Sequence, residues 1–138
     1  MFQKLFSTSP WGASSKDVSA LILRLASGLL MAVHGWDKFQ NFAEKSLDFP
    51  DPLHVGMSAS LGLTIFAELF CAVLLAVGLG TRLAAIPLII LGVVMVFSVH
   101  GSDPIGDKDH PMLYMFNYMA IFLLGAGRFS LDAMFFKK

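Results

Sequence analysis

Charge is scarce in this chain, and so is sulfur that could cross-link it. Only 14% of its 138 residues are charged and 56% are hydrophobic, where a soluble domain carries about 25% charge. Polar surface that sparse excludes a fold that stays in water. The net charge of +0 and the lack of any basic run argue against a nucleic-acid partner. A single cysteine, Cys71, rules out an internal disulfide and an intramolecular dithiol mechanism, which needs a second, resolving thiol. No small-residue cleavage site follows the first apolar run, so that run is expected to stay as a membrane anchor. No glycine-rich loop suits a flavin or nicotinamide phosphate, and no helix carries two histidines.

What the chain has is long apolar runs. Mean hydropathy is +0.69. Four stretches stand out, at about Val18–Phe39, Ser58–Leu79, Leu83–Val99 and Met112–Gly127. Each approaches the ~17–25 residues that cross the hydrocarbon core as helix. Helix is the expected state because lipid cannot satisfy a free backbone, and nothing here alternates like a barrel strand. Breakers fall between the stretches: Asp48-Phe49-Pro50-Asp51-Pro52, Gly78-Leu79-Gly80-Thr81-Arg82, and Gly101-Ser102-Asp103-Pro104-Ile105-Gly106. Pro111 suits the first position of the last helix, and Pro87 falls in the first turns of the third. The expectation is an all-α integral membrane four-helix bundle, with an interfacial segment at 1–17, the transmembrane domain at 18–132 and a tail at 133–138.

Short-flank Lys and Arg set the expected orientation. Lys4, Lys16, Arg82, Arg128, Lys137 and Lys138 share one side; Lys38, Lys45 and Lys108 share the other. The richer side is expected to be the cytoplasmic face of a bacterial-type inner membrane, with both termini there. An internal repeat suggests two parallel helical hairpins. Val33-His34-Gly35-Trp36-Asp37 and Val99-His100-Gly101-Ser102-Asp103 are expected to end the odd helices. Gly78-Leu79-Gly80 before Arg82 and Gly125-Ala126-Gly127 before Arg128 end the even ones.

Polar groups at membrane depth are costly and therefore informative. Arg24, His34, Glu68 and Asn117 are such groups. Arg24, Ser27, Met31, His34 and Lys38 share one helical stripe; so do Thr64, Glu68 and Cys71, and Tyr114, Asn117, Tyr118 and Ile121. The expected arrangement has Arg24 paired with Glu68 in a lower layer, and His34, Asn117 and His100 above. A cavity between the layers, lined by Met, Phe and Tyr, would suit a flat amphipathic molecule. In this reading it lies in the outer half, bounded by His34, Glu68 and Asn117. Lys38 draws in an anionic or carbonyl group, and His34 bonds or exchanges a proton with it. The plainer alternative is a solid core in which Arg24 and Glu68 fix helix packing, Asn117 joins helices, and Cys71 merely packs.

Three segments together resemble the DoxX family of small membrane proteins. They are Leu23–Phe39, with its Arg24, Gly28, His34-Gly35 and Lys38; Glu68 followed by Gly78-Leu79-Gly80-Thr81-Arg82; and Gly125-Ala126-Gly127-Arg128-Phe129-Ser130-Leu131-Asp132. The resemblance spans about residues 18 to 132. It implies a four-helix membrane fold and a link to redox chemistry, since one relative is a membrane subunit of a thiosulfate:quinone oxidoreductase. It carries over to Arg24, His34, Lys38, Glu68, Arg82, Arg128 and Asp132, the last three as turn and anchor residues. Four functions stay open. The first is a membrane subunit of a quinone-linked redox system, working with a soluble or membrane redox partner. The second is non-enzymatic small-molecule binding or transport. The third is assembly into a larger complex or a homo-oligomer. The fourth is haem held by His34 and His100.

Overall fold

A computed structural model describes residues 2–5, 12 and 14–136. Four long helices dominate it. Helix α1 is Ser15–Gln40, α2 is Met57–Val77, α3 is Thr81–Val99 and α4 is Asp109–Leu124. Short helical turns lie at Phe42–Lys45, Ile105–Asp107 and Leu131–Phe135. No strand occurs among the described residues. Helices α1, α2 and α3 are each long and apolar enough to cross a membrane. Helix α4 has 16 residues, about 24 Å at 1.5 Å per residue. The chain is a multi-pass membrane protein whose outward residues contact lipid.

The helices alternate in direction. Packed neighbours are α1–α2, α2–α3, α3–α4 and α4–α1, so the bundle closes. One end holds the tight Gly78–Gly80 connection and the segment after α4; we term it the turn end. The other holds the connections at 41–56 and 100–108; we term it the loop end. At their common wall α1 and α2 touch through backbone. A Cβ on Gly28 would meet Ala72 O at 2.8 Å and the Ala76 methyl at 2.9 Å. A Cβ on Gly35 would meet Leu69 N at 2.6 Å and the Glu68 carbonyl carbon at 2.7 Å. Small residues permit this closeness, which is how helices gain dispersion energy where lipid offers no hydrophobic drive. Leu75, Leu88, Ile121 and Tyr118 fill the centre, and the Tyr118 hydroxyl donates to Ser27 O at 3.0 Å.

The boundaries differ from the sequence reading in instructive ways. Helix α4 starts at Asp109, two residues before Pro111, so Pro111 sits within its first turn rather than opening it. Val33–Asp37 does not end α1, which continues to Gln40 with Gly35 buried. His100, by contrast, terminates α3. The two pentapeptides therefore occupy different structural positions, because Gly35 is spent on helix packing and Gly101 on a turn. The even helices do end alike. Gly78 and Gly80 have φ of +78° and +58°, and Gly125 and Gly127 have φ of +81° and +80°.

A polar clamp ties the turn end together. Arg24, fully buried, donates to Ala76 O at 3.1 Å and to Phe129 O at 2.5 Å. It thereby neutralises a C-terminal carbonyl of α2. Asp132 accepts from Gly80 N at 2.7 Å and Thr81 N at 2.9 Å at the start of α3. Arg82 Nε donates to Phe122 O, and Asp17 accepts from Arg128 N. These are the turn and anchor roles expected of Arg82, Arg128 and Asp132. The expected Arg24–Glu68 pair does not form. The α1–α2 register sets Arg24 beside Gly78, ten residues or about 15 Å of helix beyond Glu68.

Two predictions follow from this packing. Gly35→Ala should lower the melting temperature in detergent, at about 1–3 kcal/mol of overpacking. Gly62→Ala should be neutral or slightly stabilising, since that Cβ meets nothing. The second concerns Asp132. Burial pushes its carboxyl up, but the N–H groups of Thr81 and Gly80 and the Arg24 charge outweigh this and hold it below the usual carboxylate range. A depressed folded-state pKa contributes stability above the unfolded value and loses it as pH falls through the folded one. Thermal melts should therefore show an acid-side loss starting near the ordinary Asp range, about pH 4, and Asp132→Asn should flatten that limb.

Candidate functional site

Toward the loop end the polar residues are arranged differently. Lys38, in the last turn of α1, extends its ammonium to Glu68 Oε2 at 2.7 Å. Glu68 lies in a π-helical segment of α2, Phe66–Cys71. The extra residue per turn of such a segment shifts the phase of the side chains, and π segments often mark functional sites. A second π segment, Met95–Val99, ends α3 on the facing wall. The Glu68 side chain is 8% exposed and that of Lys38 22%. In so apolar a setting each charge requires the other. Lys38 has three donors, and Glu68 takes one.

Two cavities flank this ion pair, and it belongs to the wall of both. The larger, about 320 Å³, lies between α2 and α3 beneath the 41–56 connection. Thr64, Ala67, Pro87, Leu91, Val94 and Met95 line it. The smaller, about 190 Å³, lies among α1, α3 and α4. Met31, His34, His100, His110, Tyr114 and Tyr118 line it. His34 meets Tyr114 edge-on at 6.4 Å between ring centroids, and Tyr114 stacks on Tyr118 at 6.1 Å. His100 Nδ1 is 2.8 Å from Asp103. The arrangement offers two apolar chambers with a charge-assisted donor between them and histidines at one mouth. It can orient the carbonyl of an amphiphile and hold a proton nearby.

Of the residues singled out in the sequence, the structure brings together His34, Lys38 and Glu68, with His100. It does not bring in Arg24, which belongs to the turn-end clamp. Asn117 is half-buried and lines neither cavity. Tyr114 and Tyr118, on the same helix, stand where it was expected. His34 is exposed at the cavity mouth rather than enclosed. The larger cavity went unforeseen. Its signal was weak: small or kinking residues, Ala67 and Pro87, on facing helices. Among the described residues no cluster of metal-ligating side chains occurs.

Fold and site thus define a small helical membrane protein with an ion pair buried between two chambers. The chain belongs to the DoxX family, whose model matches residues 19–101. The match covers α1, α2 and α3, and with them Lys38 and Glu68. A relative from Bacillus subtilis (strain 168), named "Putative oxidoreductase CatD", is 27% identical over 125 residues, covering 89% of this chain and 91% of that protein. No solved structure matches the chain.

The ion pair gives a third prediction. Lys38→Met leaves Glu68 buried and unpaired and should cost more stability than Glu68→Gln, which leaves a lysine near enough to the loop end to extend toward water. The double variant should lose less than the sum, by roughly 1–3 kcal/mol. Unfolding in detergent of the four proteins measures this, and strict additivity would contradict a direct pair.

Proposed function

We propose that this protein is the membrane component of a redox system, and that it binds a neutral, carbonyl-bearing amphiphile such as a quinone at Lys38 and Glu68. The observation that carries this reading is the ion pair shared by two cavities, one otherwise almost wholly apolar and the other lined by methionine, tyrosine and histidine. The pair is electrically neutral, so it gains little from an anion. The remaining N–H groups of Lys38 suit a carbonyl oxygen, and the charge-assisted bond is strong in a water-poor site. The smaller cavity supplies aromatic faces at Tyr114 and Tyr118 and, at His34 and His100, imidazoles that can donate or accept a hydrogen bond. A quinone would supply the electron-carrying chemistry; this chain would bind it, orient it and hold a proton at the Lys38–Glu68 pair. The family and its relative named as an oxidoreductase support the redox half of the reading. In this reading a partner protein exchanges electrons with the bound molecule.

The same reading sets the loop end outside a bacterial-type cytoplasmic membrane, from the distribution of Lys and Arg. A cysteine at Glu44 should react with an impermeant reagent from outside, and one at Met134 only after the membrane is opened.

Binding can be followed by Trp36, half-exposed on α1 between His34 and Lys38. In a Trp11→Phe background, a short-chain quinone analogue should quench Trp36 saturably. Lys38→Met and Glu68→Gln should weaken that binding by about tenfold or more, the scale of one charge-assisted hydrogen bond. Arg24→Lys should leave it unchanged. Equal quenching of all variants would reject the site.

A further inference from the structure

We infer that the ligand carries an apolar tail and enters sideways from the bilayer, between α2 and α3, its tail filling the larger cavity while its head meets Lys38 and Glu68. This rests on the head-group site proposed above. The cavity's position carries the argument. Among its walls are Leu63 and Phe66 of α2 and Ile90 of α3, which are 57%, 49% and 57% exposed. Residues so apolar and so exposed face hydrocarbon in a membrane helix. The cavity mouth therefore lies among lipid-facing side chains.

Toward the loop end the same cavity is roofed. Phe49, Pro50, Pro52 and Leu53 cover it. That roof is held by Asp51, whose carboxylate accepts from Val55 N at 3.0 Å, Gly56 N at 2.9 Å and Ser60 Oγ at 2.7 Å. Pro50 and Pro52 restrict the backbone on either side of Asp51. The loop-end approach to this chamber is thus overlain by an apolar, proline-stiffened connection, and its α2–α3 side is bordered by lipid-facing side chains. The cavity's 320 Å³ lies within the ~300–1,000 Å³ typical of small-molecule sites. Its lining offers few polar groups apart from Lys38, Glu68, Ser60 and Thr64. Ser60 and Thr64 are already engaged, Ser60 Oγ with Asp51 and Thr64 Oγ1 with Ser60 O. The unspent polarity thus lies at the inner wall, where the ion pair adjoins the second chamber. An amphiphile entering from lipid meets apolar walls first and the ammonium last, which orients it.

The test compares two probes in detergent, with Trp36 as reporter in the Trp11→Phe background: a dimethoxy-methyl-benzoquinone without a tail, and the same ring bearing a decyl chain. The decyl probe should bind the parent protein about tenfold more tightly or better, allowing for its partition into micelles. Val94→Phe fills the cavity from α3, and Thr64→Met fills it from α2, so the two variants act independently on opposite walls. Each should weaken the decyl probe about tenfold, the scale of a modest packing clash, and leave the tail-less probe unchanged. If both variants bind the decyl probe as the parent does, the tail lies elsewhere and the inference falls while the head-group site stands. If the two probes bind the parent equally, the cavity holds no tail, and the inference again falls alone. If neither probe binds the parent, the head-group site fails and the tail chamber with it.

Discussion

The register of α1 against α2 is the constraint from which most of this structure follows. Gly28 rides over Ala72 and Ala76, and Gly35 rides over the Glu68–Leu69 peptide. Because backbone meets backbone at these points, a slip of either helix would replace contact with collision. Once the register is set, every polar residue on the two helices has its neighbour chosen. Lys38 faces Glu68, and Arg24 faces the end of α2. In lipid, where unpaired polar groups cost several kcal/mol, that choice decides whether the bundle is tolerable at all.

The two ends then do different work. At the turn end, positive-φ glycines close the connections, Arg24, Arg82 and Asp132 bond the helix termini they leave, and Asp17 accepts from Arg128 N. Nearly all of that polarity goes to backbone groups, which makes it structural. At the loop end the side chains turn toward each other and toward space. Lys38 meets Glu68 rather than a helix terminus, the histidines line a mouth, and two π segments interrupt the regular ladder beside the cavities. A rigid base beneath a more open half is an arrangement in which a ligand can be admitted without loosening the fold.

Much of the fold was legible in the sequence because lipid leaves few choices. A chain this apolar must span as helix, and its breakers mark where each span stops. The four long helices fall within three residues of the expected ends, and the Gly78–Arg82 and Gly125–Asp132 turns are where their glycines implied. The residues Lys38, Glu68 and His34 could be named from stripe position alone. The pairing of Glu68 could not. Helical periodicity tells which residues share a face, but it does not tell how far one helix slides along another.

The sequence by itself determined the class of protein, the four helices and the short list of polar residues worth attention, since these depend on local hydropathy and on backbone hydrogen bonding within each segment. Only the tertiary structure decided that Arg24 closes the turn end, that Lys38 is the partner of Glu68, that Tyr114 and Tyr118 rather than Asn117 adjoin the site, and that a chamber opens between α2 and α3. Those outcomes depend on the backbone-to-backbone closeness that Gly28 and Gly35 permit and on the change of phase introduced at Phe66–Cys71. Both arise between helices or against the helical repeat, where no periodicity in a single strand of sequence records them.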